Sequence, residues 1–385
     1  MVRAAQEGVP LRAVATQFRV ALSTVQRWVK RADKQRLDRV DWEDRPCGAP
    51  TPVNRTTVDR EDLILTIRQQ LREESDLGEY GAAAIRRELE KRKIKPLPSL
   101  RTIGYVLKRR GALDSRQRVR QVAPRPGWYL PDVVKGRAEL DSFDIVEGLV
   151  IKDGPQVEVF NGVSLHGGLV VSWPREQTVT AEFVTEALVE HWRAFGRPTY
   201  AQFDNDPIFQ GAQVHPDVIG RVIRTCLSLD VVPVFAPPRE TGFQAAIEGY
   251  NGRWQAKVWV RFQHPSLEAL RDRSDRYVIA HRARSVARIE AAPARRPFPP
   301  KWKLDLQAHP RGRIVFIRRT NEKGEVQLLG HTFVVDATWP NRLVRADLNL
   351  TKGRICFYTL RRRASDQQPM VAELAYKLPE RKFHE

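Results

Sequence analysis

The chain has 385 residues, 42% hydrophobic and 29% charged, enough for two or three packed domains and too apolar for disorder; no run reaches the roughly 18 apolar residues of a membrane span, and the first residues lack the charged-then-apolar order of a signal peptide. Its three cysteines, Cys47, Cys226 and Cys356, lie far apart with no C-x-x-C pair, which speaks against a disulfide framework or a zinc knuckle and for reduced packing residues. The net charge of +19 points to a polyanionic partner, yet residues 131–265 carry 12 Lys and Arg against 17 Asp and Glu, while residues 1–130 carry 28 against 16 and residues 266–385 carry 25 against 13; an acidic middle between basic ends suits an enzyme that collects divalent cations better than a coat protein.

Residues 10–31 have the spacing of a helix-turn-helix within an expected domain 1–32. Leu11, Val14, Ala15 and Phe18 share one helical face, Arg19-Val20-Ala21 forms the turn, and Val25, Trp28 and Val29 line the next face. Ser23 or Thr24 would open the second helix, leaving Ser23, Thr24, Gln26, Arg27 and Lys30 to face a DNA groove; an ordinary helical hairpin has the same spacing. Residues 33–56, with the Pro-bearing run 45–52, read as a linker. A second helical unit follows over 57–125, with amphipathic segments near 58–73 and 82–93 and a third that Ser99 would cap and Gly111 would end. Arg101, Lys108, Arg109 and Arg110 make its last helix basic, so a second helix-turn-helix binding DNA through Arg101, Lys108 and Arg109 is expected, with a solvated charged face as the alternative.

From residue 126 to 265 the texture turns mixed. Three strands are expected at 138–146, 156–164 and 168–173, then a helix at 180–195, a strand at 199–203, a helix near 217–229, a strand at 231–235 and a long helix from 243 to 262. Three antiparallel strands followed by alternating helix and strand is the order of a ribonuclease-H-like α/β core. Residues 266–311 read as a basic helix and connector. Residues 312–380 show five short strands and a hairpin turn at Asn321-Glu322-Lys323-Gly324, which suggests a small all-β barrel.

Three carboxylates fall where this order would gather them: Asp141 on the first strand, Asp204 at the end of the fourth, and Glu248 on the helix after the fifth. Acids about 4 Å apart repel by about 4 kcal/mol per pair at an effective dielectric of 20, so such a cluster needs a hard divalent cation. Asp144 competes with Asp141, since at a period of two only one of them can face the crevice. On the last helix Gln244, Asn251 and Gln255 share the face of Glu248, while Ile247, Tyr250, Trp254 and Val258 form the apolar stripe. The eight histidines, His166 and His191 among them, show no ligand spacing, and the tryptophans read as core, with DNA contact by Trp254 or Trp259 as the alternative.

At three segments the sequence resembles the DDE transposases of bacterial insertion sequences, which share the catalytic core of retroviral integrases. These are Glu139-Leu140-Asp141-Ser142-Phe143, Phe203-Asp204-Asn205 and the run from Gly242 through Gln244 and Glu248 to Asn251. The resemblance covers about residues 10–360 in domain order and is specific in the core. It implies metal binding and catalysis by Asp141, Asp204 and Glu248, two Mg²⁺ or Mn²⁺ ions, and support from Asn205, Gln244 and Asn251; the Asp-Ser-Phe match favours Asp141 over Asp144. It further implies a polynucleotidyl transferase that binds element ends, with terminal-repeat and target double-stranded DNA as partners, a homo-oligomer on DNA and room for an ATPase helper protein. A cytoplasmic, nucleoid-associated location with no membrane partner is expected. Two departures are visible: Asp206 stands where the family has glycine, and Glu248 lies 44 positions after Asp204, beyond the family's usual spacing. The rival readings are a catalytically silent DNA-binding regulator and a ribonuclease-H-like nuclease.

Overall fold

The computed structural model describes residues 1–33, 35–44, 56–113, 127–212, 215–240, 242–362, 364–365 and 367–383. Cys47 and the run 45–52 read as linker lie outside them. The chain divides into two units, Met1–Arg60 and Glu61–Glu385.

In the first unit α1 (Val2–Gln6), α2 (Leu11–Gln17) and α3 (Leu22–Arg31) close round Val14 and Val25, both fully buried. The turn between α2 and α3 places Arg19 in the left-handed region (φ 50°). Ala21 precedes α3 in extended backbone, so the helix starts at Leu22, ahead of the Ser23 or Thr24 start expected from capping preference.

The second unit begins with α4 (Val58–Glu74), α5 (Ala82–Lys91) and α6 (Leu100–Arg109), packed round Ile64, Ile67, Ile85, Leu89, Ile103 and Val106. Ser99 caps α6 by accepting from the Thr102 N–H at 3.1 Å, and Gly111 follows with φ +65°. The connector 92–99 is longer than the turn between α2 and α3, so α5 and α6 are not joined by a tight helix-turn-helix turn. Arginines hold these helices to the core. Arg261 donates to the carbonyls of Arg72, Glu73 and Ser75 at the end of α4, and Lys257 to that of Gly78 at 2.9 Å, satisfying carbonyls that a helix terminus leaves open.

After α7 (Pro131–Val134) come β1 (Leu140–Val150), β2 (Gln156–Ser164), β3 (Val170–Arg175), α8 (Ala181–Phe195), β4 (Tyr200–Phe203), α9 (Pro207–Gln210), α10 (Arg221–Ser228), β5 (Val232–Phe235) and α11 (Ala245–Trp254). A π-turn (Gln255–Trp259) leads to α12 (Leu267–Glu290), then β6 (Arg313–Arg319), β7 (Glu325–Leu328), β8 (His331–Val334), β9 (Leu343–Asn349), β10 (Arg354–Thr359) and β11 (Met370–Ala375). One sheet runs β11-β10-β9-β6-β5-β4-β1-β2-β3. β1, β2 and β3 are antiparallel, while β1, β4, β5 and β6 are parallel. The ribonuclease-H-like order expected from the sequence is therefore present. Phe143, Phe160, Trp192 and Phe203 pack on the α8 and α10 side, and Val146, Val159 and Val163 meet Ile247, Tyr250, Trp254 and Val258 on the α11 and α12 side.

The C-terminal strands do not close into a barrel of their own. β6 pairs with β5, and β9, β10 and β11 extend the same open sheet, because Ile314, Phe316, Leu348 and Phe357 bury into the core's own apolar cluster. The turn expected at 321–324 is present, with the Gly324 N–H donating to the Asn321 carbonyl at 3.0 Å and the Asn321 N–H to the Glu325 carbonyl at 2.8 Å, although β6 and β7 on either side of it lie in different sheets. Leu329 and Gly330, both at positive φ, form a further two-residue turn between β7 and β8. Cys226 and Cys356 are free, and no helix among the described residues is long and apolar enough to cross a membrane.

Candidate active site

Strand alternation decides what each aspartate of β1 meets. β1 runs parallel to β4 with Asp141 level with Ala201 and Ser142 level with Gln202; the same register, two residues on, brings Asp144 abreast of Asp204, the residue just after β4. Ser142 Oγ and Gln202 Oε1 lie 3.4 Å apart on that face. The face is covered by α11, whose apolar stripe of Ile247, Tyr250 and Trp254 is fully buried, leaving Glu248 exposed on its first turn. Burial, the Asp204 charge and the Glu248 charge together push the Asp144 carboxyl up to about 6. Burial and the nearby Asp206 also raise Asp204, opposed by the Asp206 N–H that donates to its Oδ1 at 3.0 Å.

Asp141 is not a member of this cluster, contrary to the sequence expectation. It points to the α8 side, where burial alone would raise its carboxyl. Arg295 outweighs that by donating to both oxygens, at 2.8 and 2.5 Å, and holds it well below the usual carboxylate range. Trp192 Nε1 donates at 3.2 Å, and His191 Nε2 stands 3.4 Å away; burial lowers the His191 pKa, so Arg295 supplies the countercharge. With 1% of its side chain exposed, Asp141 is a structural ion-pair partner.

The expected supporting residues are placed unevenly. Asn251 Nδ2 donates to Asp144 Oδ2 at 2.8 Å, and Asn161, which sequence reasoning missed, donates to Asn251 Oδ1 at 2.9 Å. These amides form a relay from β2 through α11 to Asp144. Asn205 donates to the Ala236 carbonyl at 2.7 Å, tying the ends of β4 and β5. Gln244 precedes α11 with its side-chain amide nitrogen buried and unbonded among the described residues. Trp254 is core, donating to Ser274 at 3.0 Å. Among the described residues no three His, Cys, Asp or Glu side chains already stand close enough together to hold a metal ion.

On α3, Ser23, Gln26, Arg27 and Lys30 are exposed and Thr24 half-buried, so they form one accessible stripe. Arg27 is only loosely paired with Asp44, at 3.6 Å. On α6, Arg101 and Lys108 are exposed, but Arg109 is engaged. With Arg110 it pairs with Glu61, which is 1% exposed, and so ties α6 to α4 while its own side chain stays partly accessible.

Residues 1–40 match the family of homeodomain-like domains, helix-turn-helix modules that bind DNA through their last helix. No curated protein matches the sequence. Among solved structures, a chain of the simian T-cell lymphotropic virus intasome in complex with the PP2A regulatory subunit B56 gamma is similar at 15% identity, over 72% of this chain and 88% of that one, with a TM-score of 0.32. The catalytic core of BIV integrase matches at 15% identity over 37% and 81% (TM-score 0.27). The magnesium-bound catalytic core of HTLV-2 integrase matches at 14% over 40% and 86% (TM-score 0.26). Likenesses this remote assign no activity, and the strand order itself carries the fold class. The chain carries a segment similar to homeodomain-like helix-turn-helix domains and an α/β core with the ribonuclease-H-like strand order.

Proposed function

We propose that this chain is a DNA transposase of the DDE type in which Asp144, Asp204 and Glu248 are the catalytic acids. The observation that carries the reading is the register of β1 on β4, which sets Asp144 beside Asp204 on the face covered by the helix of Glu248. The donor set suits a hard divalent cation. It is all oxygen and acidic, and among the described residues Asp144 and Asp204 are hydrogen-bonded by neutral groups, the Asn251 amide and the Asp206 N–H. When bound by these three acids, two Mg²⁺ or Mn²⁺ ions would activate an attacking water or 3′-hydroxyl and stabilise the leaving oxygen. Asn251, itself held by Asn161, fixes the rotamer of Asp144. The exposed stripe of α3 supports recognition of element ends by base-edge contacts in the major groove.

The test is to incubate the full chain and Mg²⁺ with DNA carrying the sequences that flank its reading frame. Cleaved ends joined to target DNA are expected, with no product in EDTA. Hydrolysis without joining would favour a nuclease, and specific binding without cleavage a silent regulator. If Asp204→Asn joined ends at near wild-type rate, the acid assignment would fall.

A further inference from the structure

The parallel strands β1, β4, β5 and β6 all end at one edge, and beside Asp204 that edge opens into a cleft of about 750 Å³. One wall is Asn205 and Gln210, which follow Asp204. The other is Arg318 and Arg319 at the end of β6, with Gln327 and Thr332 from the facing strands of the β7–β8 hairpin.

The two arginines differ. Arg319 pairs with Glu240 at 2.6 Å. Arg318, half-buried, donates through Nη1 to the carbonyls of Ala236 (3.3 Å) and Ile317 (2.9 Å), lies over the Phe316 ring and makes no ion pair among the described residues. Burial lowers its pKa to about 10, so it stays charged at neutral pH. A partly desolvated guanidinium without a countercharge is a ready partner for an anion that reaches it from the cleft. Its remaining N–H groups form the planar fork that matches a phosphate. The carbonyl of Ala236 also accepts from Asn205, at 2.7 Å, so one shared acceptor links Arg318 to the residue after Asp204. Glu325, the acid on this hairpin, accepts from Asn321 at 2.9 Å.

We propose that this cleft is a DNA-strand subsite in which Arg318 binds a backbone phosphate next to the acid cluster. The strand is thereby held where β4 presents Asp204, between the core and the C-terminal strands. The inference rests on the transposase reading for the identity of the polymer.

The experiment uses the full chain and a fluorescein-labelled random-sequence 30-base-pair duplex in EDTA, where no chemistry occurs, so its outcome is separate from the fate of the acid assignment. Arg318→Gln is expected to weaken binding about tenfold at low salt and to lower the log–log salt slope by about 0.9, the loss of one phosphate contact. Arg318→Lys should keep the slope with reduced affinity, since a point charge replaces the fork. Thr332→Glu, at an exposed position on the same cleft, should weaken binding by repulsion without touching the fold, and it decides the matter if Arg318→Gln unfolds. Wild-type affinity and slope in both Arg318→Gln and Thr332→Glu would overturn the proposal, as would wild-type binding by Thr332→Glu alone where Arg318→Gln cannot fold.

Discussion

Replacing Asp141 by Ala should damage the protein's stability and spare its chemistry. The carboxylate is 1% exposed and the Arg295 guanidinium 14%, so the substitution strands a buried cation among His191 and Trp192. Breaking one side of a buried pair costs about 3–5 kcal/mol. The lower end is expected here, because Arg295 keeps its bond to the Gly196 carbonyl at 3.0 Å and retains some contact with solvent. The double variant Asp141→Leu/Arg295→Met should recover most of the loss, since it removes both desolvated charges together. Acid should narrow the difference. The native carboxyl of Asp141 is held below its ordinary value of 3.8, so the native state keeps it ionised where the unfolded chain takes up a proton. Its stabilisation is complete above about pH 4 and fades as pH falls further toward the native value. Urea unfolding followed by tryptophan fluorescence at pH 7 and pH 3 measures both effects. A loss under about 0.5 kcal/mol at pH 7, or a gap between wild type and variant that widens on acidification, would refute the reasoning.

Further outcomes follow from the same contacts. Asn161→Ala removes the amide that orients Asn251, so cleavage should slow about tenfold while DNA affinity stays within about twofold; unchanged single-turnover cleavage would show that the relay does not position Asp144. In the first unit, Arg27→Ala should cost about 1–3 kcal/mol of discrimination between correct and scrambled ends, whereas Lys30→Ala should weaken both equally and lower the salt slope by about 0.9. Competition binding checks the pair, and equal loss of discrimination in both would contradict the assignment. Glu61→Ala should destabilise the α4–α6 cluster by about 1–2 kcal/mol, a reduced figure because Arg109 and Arg110 are about a third exposed; thermal melts of the full chain measure it.

The sequence was most informative where burial pattern and periodicity coincide. β2 has the expected bounds, and the apolar stripe of α11 is buried as its spacing implied. Periodicity also reduced the first-strand acid to a choice between Asp141 and Asp144. It could not make that choice, because the deciding facts are long-range: Arg295 lies 154 residues from Asp141, and the register with β4 depends on the whole parallel pairing. The short motif match favoured Asp141, whereas the register that sets Asp144 beside Asp204 is visible only in the folded chain. The barrel expectation failed because short alternating strands look alike whether they close on themselves or extend a neighbouring sheet. Edge strand β11 (Met370–Ala375) was not read, because its Met, Ala, Glu and Leu residues favour helix and show no strand-like alternation of apolar and polar positions. Arg109 looked free on a basic helix, yet its partner Glu61 is 48 residues earlier.

The most direct measurement compares Asp141→Asn and Asp144→Asn in single-turnover cleavage of labelled end DNA with Mg²⁺, at a temperature where both remain folded. The account predicts that Asp144→Asn loses at least about a thousandfold in rate while binding DNA normally, and that Asp141→Asn cleaves within a few-fold of wild type despite its lower stability. A cleaving Asp144→Asn beside a folded, inactive Asp141→Asn would contradict it.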